Sequence, residues 1–290
     1  MTENILREAD NDVTIEGVLS ENKLDYKTTA EGKDYISGDI LVETSEGNIV
    51  PVNFFSFAVK KDGGPNRIYN NLKNVVDNYK SIAKHSRESA DKIRITGATL
   101  EANEFYNAAG NLISTFRVRS NFINRVTGDF APKADFAVEV YVQSLTEEVK
   151  DDVPTGRYLI KGVVPGYNGR VHLLTFFVEN PKAIEYVKQN YSVGDTVKLA
   201  GKLSNEIIEV NRTEEMEFGD DIITTFTRIK RELIADKGSK PYDEGDKFSA
   251  ELIKQAMVER DVDLKTKQEK AMQQASPAGA GFAASDDVPF

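Results

Sequence analysis

Apolar and polar residues alternate with a period of two along much of the chain. Between residues 32 and 43, Ile36, Ile40 and Val42 fall on one parity, whereas Tyr35 falls on the other. A period of two indicates a strand that buries one of its faces. The same pattern predicts strands over residues 13–19, 49–59, 92–105 and 112–126.

Between the third and fourth of these strands the period changes to that of a helix. Ile68, Leu72, Val75 and Tyr79 recur at helical spacing and predict an amphipathic helix over residues 66–89. The predicted order is therefore three strands, a helix and two strands. This is the element order of the OB-fold, a five-stranded Greek-key barrel.

The second half of the chain repeats this pattern. Gly32 and Gly38 are six residues apart, as are Gly156 and Gly162. Three further blocks recur in the same order. Gly47 precedes Phe54 and Phe55 as Gly169 precedes Phe176 and Phe177, and Asp91 precedes Gly97 as Asp195 precedes Gly201. Residues 113–116 reappear as residues 223–226. The sequence thus predicts an all-β fold with inserted helices, made of two tandem OB-fold barrels followed by a flexible C-terminal tail.

The predicted segments are an N-terminal arm at residues 1–12, a first barrel at 13–133, a second barrel at 134–236 and a tail at 237–290. In the second barrel, Asn180 and Pro181 predict the start of a helix, because Asn is a good N-cap and Pro suits the first helical position. The tail is predicted to be partly helical from about Ser249. Beyond Asp261 its low complexity predicts a flexible tether that carries an acidic tip.

Composition excludes several kinds of chemistry. The chain has no cysteine, which removes disulfides, thiolate nucleophiles and zinc ribbons. Its two histidines, His85 and His172, form no metal-binding or catalytic pattern. We therefore predict no enzymatic activity and no cofactor. The chain also lacks a run of about 18 apolar residues and starts with a polar, acidic segment, so we expect no membrane partner and a cytoplasmic location.

The net charge of −10 restricts where a polyanion could bind. Residues 112–133 depart from this acidity and carry a net charge of +3. The segment has four basic residues, Arg117, Arg119, Arg125 and Lys133, and one acidic residue, Asp129. A nucleic-acid site must then be a local basic stripe on an acidic body, with an affinity that falls as salt rises.

A protein that binds single strands needs aromatic faces for the bases and cations along the phosphates. On the fifth strand, Phe116, Val118 and Phe122 are predicted to share one face and the arginines the other. On the third strands, one of Phe54 and Phe55 and one of Phe176 and Phe177 must point inward, and we favour Phe55 as exposed. The predicted DNA-binding residues are Tyr35, Phe55, Phe57, Arg117, Arg119 and Arg125 in the first module and Arg157, Lys161, Lys198, Lys202, Phe226, Arg228 and Lys230 in the second.

The chain ends in Asp286, Asp287, Val288, Pro289 and Phe290. This tip resembles that of the bacterial single-stranded-DNA-binding proteins, which is acidic and closes with Pro-Phe. The resemblance implies a role in DNA replication, recombination and repair, in which a helicase, nuclease or recombination mediator holds the terminal ring in a pocket and the carboxylates on basic residues. Two modules in one chain favour a monomer or dimer over that family's tetramer, and the host-like tip suggests a bacteriophage protein in the bacterial cytoplasm.

Two other functions stay open at this point. The first is a structural or protein-interaction β-barrel protein that binds no nucleic acid. The second is a nuclease that holds a divalent cation on an acidic cluster, which comprises Glu214, Glu215, Glu217, Asp220 and Asp221.

Overall fold

The chain folds mainly into β-strands, with three α-helices among the residues described by a computed structural model. These residues are 5–107, 109–214, 216–218 and 222–275. The predicted all-β fold with inserted helices is confirmed. Residues 286–290, which hold the predicted docking tip, lie outside the described residues, as do Glu215, Asp220 and Asp221 of the acidic cluster.

The first barrel follows the element order that the sequence predicts. Its elements are β1 (Asn11–Asn22), β2 (Asp25–Thr28), β3 (Asp34–Ser45), β4 (Asn48–Phe57), α1 (Arg67–Asn78), β5 (Lys92–Tyr106), β6 (Leu112–Ser120) and β7 (Asn124–Arg125). β1 pairs with β3 and β5, β3 pairs with β4, and β6 pairs antiparallel with β5. A parallel pairing of β4 with β6 closes the barrel. This is the OB-fold connectivity, with α1 between the third and fourth barrel strands.

The second barrel repeats the same connectivity. Its elements are β8 (Lys133–Lys150), β9 (Val153–Pro165), β10 (Val171–Val178), α2 (Pro181–Asn190), β11 (Thr196–Glu214) and β12 (Ile222–Gly238), and α3 (Ala250–Ala275) follows it. β8 pairs with β9 and β11, β9 with β10, and β11 with β12. β10 pairs parallel with β12 and closes the barrel. Asn180 caps α2 and Pro181 is its first residue, as predicted.

The second glycine of each repeated pair, Gly38 and Gly162, lies where neighbouring segments of the chain approach closely. A Cβ on Gly38 would lie 2.1 Å from the carbonyl oxygen of Lys23, and this glycine has a φ of +150°. In the second barrel, a Cβ on Gly162 would lie 2.8 Å from the Cβ of Val140. Small barrels coil their strands sharply, so side chains at such positions would push neighbouring strands apart. The first glycines of the two pairs, Gly32 and Gly156, have φ values of +78° and +79°, which glycine adopts without strain.

The two barrels are joined through their first strands. β1 and β8 pair antiparallel from Asn11 opposite Val138 to Glu16 opposite Lys133. A second connection lies between the start of β4 and the middle of β11. The Oδ1 atom of Asn48 accepts a hydrogen bond of 2.7 Å from the backbone N–H of Asn205. These two connections hold the barrels side by side.

Helix α3 packs across both barrels. Ile253 and Ala256 are buried against a second hydrophobic cluster that includes Val163 and Val171 of the second barrel. The guanidinium of Arg260 pairs with the carboxylate of Glu104 in β5 of the first barrel, and its Nε donates to that carboxylate at 3.1 Å. α3 therefore adds a third connection between the barrels.

Two predicted boundaries near the helices are wrong. The helix predicted over residues 66–89 ends at Asn78, because the segment after it turns back onto β1, where the N–H of Ile82 donates to the carbonyl of Leu19 at 2.9 Å. The tether predicted beyond Asp261 is helical to Ala275, and Leu264 in that part of α3 is buried. None of the helices in the described part of the chain has the length and apolar character that a membrane crossing requires.

The fifth strand of the first barrel is also shorter than predicted. It ends at Ser120, whose hydroxyl accepts from the N–H of Phe122 at 3.2 Å and starts a turn. Phe122 is consequently 53% exposed and does not share the inward face of Val118, and Ile123 is buried instead.

Ile253 and Val258 provide a test of the docking of α3, since Ile253 is 3% exposed and Val258 is 58% exposed on the same helix. We expect Ile253→Ala to lower the free energy of opening of α3 by about 2–5 kcal/mol, as is usual for large-to-small changes in a core. Val258→Ala should change it by less than about 0.5 kcal/mol. Hydrogen exchange of the α3 amides measures both, and equal effects would contradict the packing described.

Candidate nucleic-acid interface

Three aromatic rings form a cluster on the outer face of the first barrel. Tyr35 in β3 lies opposite Phe57 in β4, and Phe55 lies two residues earlier on the same face. The ring centroids of Tyr35 are 5.4 Å from Phe55 and 5.9 Å from Phe57, and those of Phe55 and Phe57 are 5.0 Å apart. Phe57 is 38% exposed, whereas Phe54 is fully buried, so the inward and outward residues of β4 are those favoured from the sequence. We call Tyr35, Phe55 and Phe57 the aromatic cluster.

Two of the predicted arginines lie beside this face. Because β4 pairs parallel with β6, Arg119 lies next to Asn53. Arg117, two residues earlier in β6, lies on the same side of the strand. Arg117 is paired with Glu101 at 2.8 Å, and Arg119 lies 3.9 Å from the same carboxylate. Both arginine side chains are more than 40% exposed. Such surface ion pairs contribute about 0–1 kcal/mol, so a phosphate can replace Glu101 at little cost.

The outer face of the second barrel carries one aromatic ring at the corresponding place. Phe176 is fully buried, and Phe177 occupies the opposite parity of β10. Arg157 covers it, with the guanidinium carbon 4.2 Å from the ring centroid. The choice between Phe176 and Phe177 is thereby resolved.

Arg157 differs from Arg117 because its charge is already balanced. Its side chain is 14% exposed and pairs with Glu232 at 2.9 Å, Glu179 at 3.3 Å and Glu148 at 3.5 Å. Burial raises the pKa of Glu148, but a hydrogen bond from Thr155 and the charge of Arg157 outweigh this and hold the pKa below its ordinary value. Arg157 is therefore a poor free cation, and its contact fixes Phe177 instead.

The remaining cations of the second barrel occupy different surroundings. Lys161 is exposed on β9 beside Thr175. Lys202 is exposed on β11, opposite Ile234, which in turn neighbours Phe177. Lys198 lies four residues earlier in β11, opposite Glu139 of β8, and its Nζ contacts Asp10 at 3.1 Å. Lys161 and Lys202 thus border the outer face, whereas Lys198 belongs to the sheet that joins the barrels.

Arg125 lies apart from the aromatic cluster. Its guanidinium pairs with Asp91 at 2.9 Å and lies 4.2 Å from the ring centroid of Tyr79. It sits in β7, opposite Ile93 in β5, whereas Arg119 is opposite Thr99 in the same strand. Six residues of strand separate the two positions, or about 20 Å. Arg125 therefore connects the end of α1 to β5, contrary to the stripe of arginines expected from the alternation.

Phe226, Arg228 and Lys230 lie on a two-stranded extension of the second barrel, which we call the ribbon. The ribbon comprises residues 206–214 of β11 and 222–230 of β12, paired from Glu206 opposite Lys230 onward. The three residues occupy alternate positions and share one face. Phe226 is 45% exposed, and Lys230 contacts Glu232 at 2.9 Å. Through Glu232 this face continues into the surroundings of Arg157.

Two clefts connect the outer faces of the barrels. The first, of about 200 Å³, lies between β4, β6 and the base of the ribbon, and we call it the junction cleft. The second, of about 230 Å³, lies between β6 and β10. Phe116 and Arg231 line both clefts. A path therefore runs from the aromatic cluster past Arg117 and Arg231 to Phe177.

Sequence reasoning missed Arg231 and its partner Asn205. The Nε atom of Arg231 donates to the Oδ1 of Asn205 at 2.7 Å, and Asn205 is 6% exposed. The available signal was the run of cations from Arg228 to Arg231, of which Arg231 lies on the parity that faces the first barrel. That orientation depends on the contact between Asn48 and Asn205, which no local pattern indicates.

His172 lies in a third cleft, which is bounded by β5, β10 and α3 and also lined by Glu104, Arg117 and Arg260. Burial lowers the pKa of His172 below its ordinary value of 6.5, the charge of Arg117 lowers it further, and Glu101 and Glu104 act in the opposite direction. The histidine is thus held neutral at the contact between the barrels.

Comparisons with known proteins identify a family and a fold. A family model described as YorF matches residues 9–271. The wild-type single-stranded DNA binding protein from Thermus aquaticus is similar in structure, with a TM-score of 0.51 and 14% identity over 84% of this chain and 99% of that chain. A deletion mutant of the Thermus aquaticus protein gives a TM-score of 0.50 and 15% identity over 84% and 98% of the two chains. No curated protein sequence matches the chain.

The lowered pKa of His172 predicts the sign of a pH effect on stability. As the pH falls below 6.5, the unfolded chain takes up a proton at this residue before the folded chain does. The stability present above pH 6.5 should therefore decrease toward pH 5, and His172→Gln should flatten this decrease. Urea unfolding at several pH values measures it, with His85→Gln in an exposed turn as the control. An unchanged pH profile in His172→Gln would contradict the assignment.

Proposed function

The chain belongs to the YorF family, and we propose that it binds single-stranded DNA without enzymatic activity. The observation that carries this proposal is the aromatic cluster beside Arg117 and Arg119 on the β3 and β4 face. OB-folds bind oligonucleotides on the corresponding strands. The proteins of similar fold from Thermus aquaticus bind single-stranded DNA, as their names state.

The cluster suits bases of any sequence. Stacking on an aromatic ring contributes about 1–3 kcal/mol per base and is available to every base, because each has a π-face. Phe57 exposes more than a third of its surface, and its contacts with Tyr35 and Phe55 hold it in place. Rings that are fixed before binding lose little conformational freedom when a base stacks on them. We therefore assign the aromatic cluster to base stacking and Arg117 and Arg119 to the phosphates.

In this proposal the strand continues from the first barrel to the second. It leaves the aromatic cluster, passes between Arg117 and Arg231 and reaches Phe177 in the second barrel. Lys161 and Lys202 border that end of the path. The ribbon extends it with Phe226, Arg228 and Lys230. Residues 13–133 and 134–236 would then act as two binding modules of one site.

The charge distribution sets the conditions for binding. The whole chain carries −10, so it attracts DNA only through local groups such as Arg117, Arg119 and Arg231. Each phosphate contact releases counterions, and the affinity must fall as the salt concentration rises. Because the body is acidic, phosphate contacts alone would stabilise the complex little. Binding is therefore limited to places where bases can also stack.

We extend the proposal to cellular roles in replication, recombination and repair of DNA in the cytoplasm of a bacterial host, as a monomer or dimer. What supports it is the sequence of the tip, in which Pro289 and Phe290 follow two carboxylates. An aromatic ring beside acidic groups suits a partner pocket with an apolar floor and a basic rim. The partners proposed are helicases, nucleases or recombination mediators.

A role in protein interaction is the second candidate, and the ribbon favours it. Ile207, Ile223 and Ile229 lie on one face of the ribbon and are each more than half exposed. Exposed apolar patches often mark binding surfaces for proteins. If this were the sole function, a fluorescence titration with labelled oligo-dT at low salt would show no binding.

Arg117→Ala combined with Arg119→Ala tests the proposed function most simply. The double variant should bind oligo-dT several-fold more weakly at low salt. The slope of log K against log salt should also decrease in magnitude by about 1.4, since each phosphate contact to a single strand contributes about 0.7. A fluorescence titration at four or more salt concentrations measures both quantities.

The matched control for the arginine pair is Lys254→Ala with Lys265→Ala. Both lysines are exposed on α3, away from the aromatic cluster. This double variant therefore changes the net charge by the same amount as the arginine variant but at a different place. The control should retain the wild-type affinity and slope. If the two double variants behaved alike, the assignment of Arg117 and Arg119 to the phosphates would be wrong.

Deletion of residues 286–290 separates the tip from the DNA-binding face. The truncated chain should bind oligo-dT as tightly as the full chain or more tightly, because an acidic tip competes with phosphates for cations. Phe290→Ala keeps the two carboxylates and should leave the affinity at the wild-type value. A clear loss of affinity on deletion would assign the tip to DNA contact instead of protein docking.

A further inference from the structure

The junction cleft is small and is lined by both apolar and charged residues. Pro51 and Phe116 contribute the apolar surface, and Asp39, Arg117 and Arg231 contribute charge. Its volume of about 200 Å³ is below the range of about 300–1,000 Å³ that is typical of pockets for drug-sized ligands. A cleft of this kind suits one flat ring system with polar edges.

Asp39 and Arg117 lie on opposite sides of Pro51. Asp39 belongs to β3 and Arg117 to β6, and these two strands flank β4, which carries Pro51. Neighbouring strands are about 4.8 Å apart, so the carboxylate and the guanidinium arise from backbones about 10 Å apart across β4. Arg231 reaches the cleft from the ribbon base. A ligand on Pro51 would therefore meet an acceptor at one edge and donors at the other.

Existing hydrogen bonds orient these groups and leave them free to form further hydrogen bonds with a ligand. The Oδ1 of Asp39 accepts from the Nδ2 of Asn53 at 2.9 Å, and an ionised carboxylate has two oxygens with about four acceptor sites. Arg231 donates from Nε to Asn205 at 2.7 Å, and a guanidinium has five N–H donors. Asp39 and Arg231 are each held by an amide neighbour in this way. The cleft is thus preorganised to accept hydrogen bonds on one side and to donate them on the other.

We propose that the junction cleft binds one guanine of the single strand, an inference that rests on the proposed function. Guanine has two adjacent donors, N1–H and the N2 amino group, on its Watson–Crick edge, which match the two oxygens of Asp39. Its O6 and N7 acceptors point away from that carboxylate, where the guanidinium of Arg231 donates, while Arg117 stays with the adjoining phosphate. Bidentate arginine contacts to O6 and N7 are common in specific readout, and unpaired bases of single strands are read along these edges.

The other three bases match this arrangement less well. Adenine and cytosine each offer one amino group beside an acceptor nitrogen, which would face the carboxylate of Asp39 with the wrong polarity. Thymine offers a single N–H between two carbonyl oxygens. A base with the wrong pattern leaves polar groups of the cleft without partners, and this lowers its affinity. The site would therefore add a preference at one position to binding that is otherwise tolerant of sequence.

The test uses the full chain and oligo-dT in which one central thymine is replaced by guanine, adenine or cytosine. A dT strand can shift along the protein until the single guanine reaches the cleft, so the exact position matters little. The guanine oligonucleotide should bind about tenfold more tightly than oligo-dT, which is the scale of a good bidentate contact. The adenine and cytosine oligonucleotides should bind like oligo-dT or more weakly.

Asp39→Asn should abolish the guanine preference while binding of oligo-dT stays equal or becomes tighter, because a negative charge is removed beside the strand. Asp12→Asn is the matched control, since Asp12 is an exposed carboxylate on β1 in the sheet that joins the barrels. The control should keep the tenfold preference.

The outcomes separate this inference from the proposed function. Equal binding of all four oligonucleotides by the wild-type chain would overturn the guanine site and leave DNA binding intact. A guanine preference that survives Asp39→Asn would also overturn it. If none of the oligonucleotides bound, the proposed function itself would fail.

Discussion

The antiparallel pairing of β1 with β8 is the interaction on which the arrangement of the molecule depends. Each strand is the first of its own barrel, and the two meet from Asn11 opposite Val138 to Glu16 opposite Lys133. The register of these two strands fixes how the barrels are placed relative to each other. Since a shift of one residue would turn every side chain of a strand to the other face, the buried side chains of both barrels keep this register.

The position of the candidate site follows from that pairing. It brings the β4 edge of the first barrel to β11 of the second, where Asn48 and Asn205 bond through side chain and backbone. Arg231 is then held over the first barrel, and the outer faces meet at the junction cleft. Neither barrel alone contains the path from the aromatic cluster to Phe177. Helix α3 supports the same arrangement from another side, through the pair of Arg260 with Glu104.

Much of the fold follows from local patterns, whereas less of the site does. The period of two located the barrel strands, and the repeated glycine spacing revealed the duplication, because both reflect short-range packing within a small barrel. The alternation also placed Phe55 and Phe57 outward. It did not reveal that Arg125 and Arg157 are held by carboxylates from other segments of the chain, nor that the orientation of Arg231 depends on the neighbouring barrel. Contacts between residues far apart in sequence leave no periodic signal.

Photo-crosslinking tests whether a single strand of DNA lies on the aromatic cluster and crosses to the second barrel. Oligo-dT with 5-iododeoxyuridine at successive positions would be irradiated with the full chain, and the crosslinked peptides would be identified by mass spectrometry. We expect crosslinks at Tyr35, Phe55 or Phe57 and, from positions further along the same oligonucleotide, at Phe177. Crosslinks confined to Phe122 or the ribbon, with none in the aromatic cluster, would contradict this path.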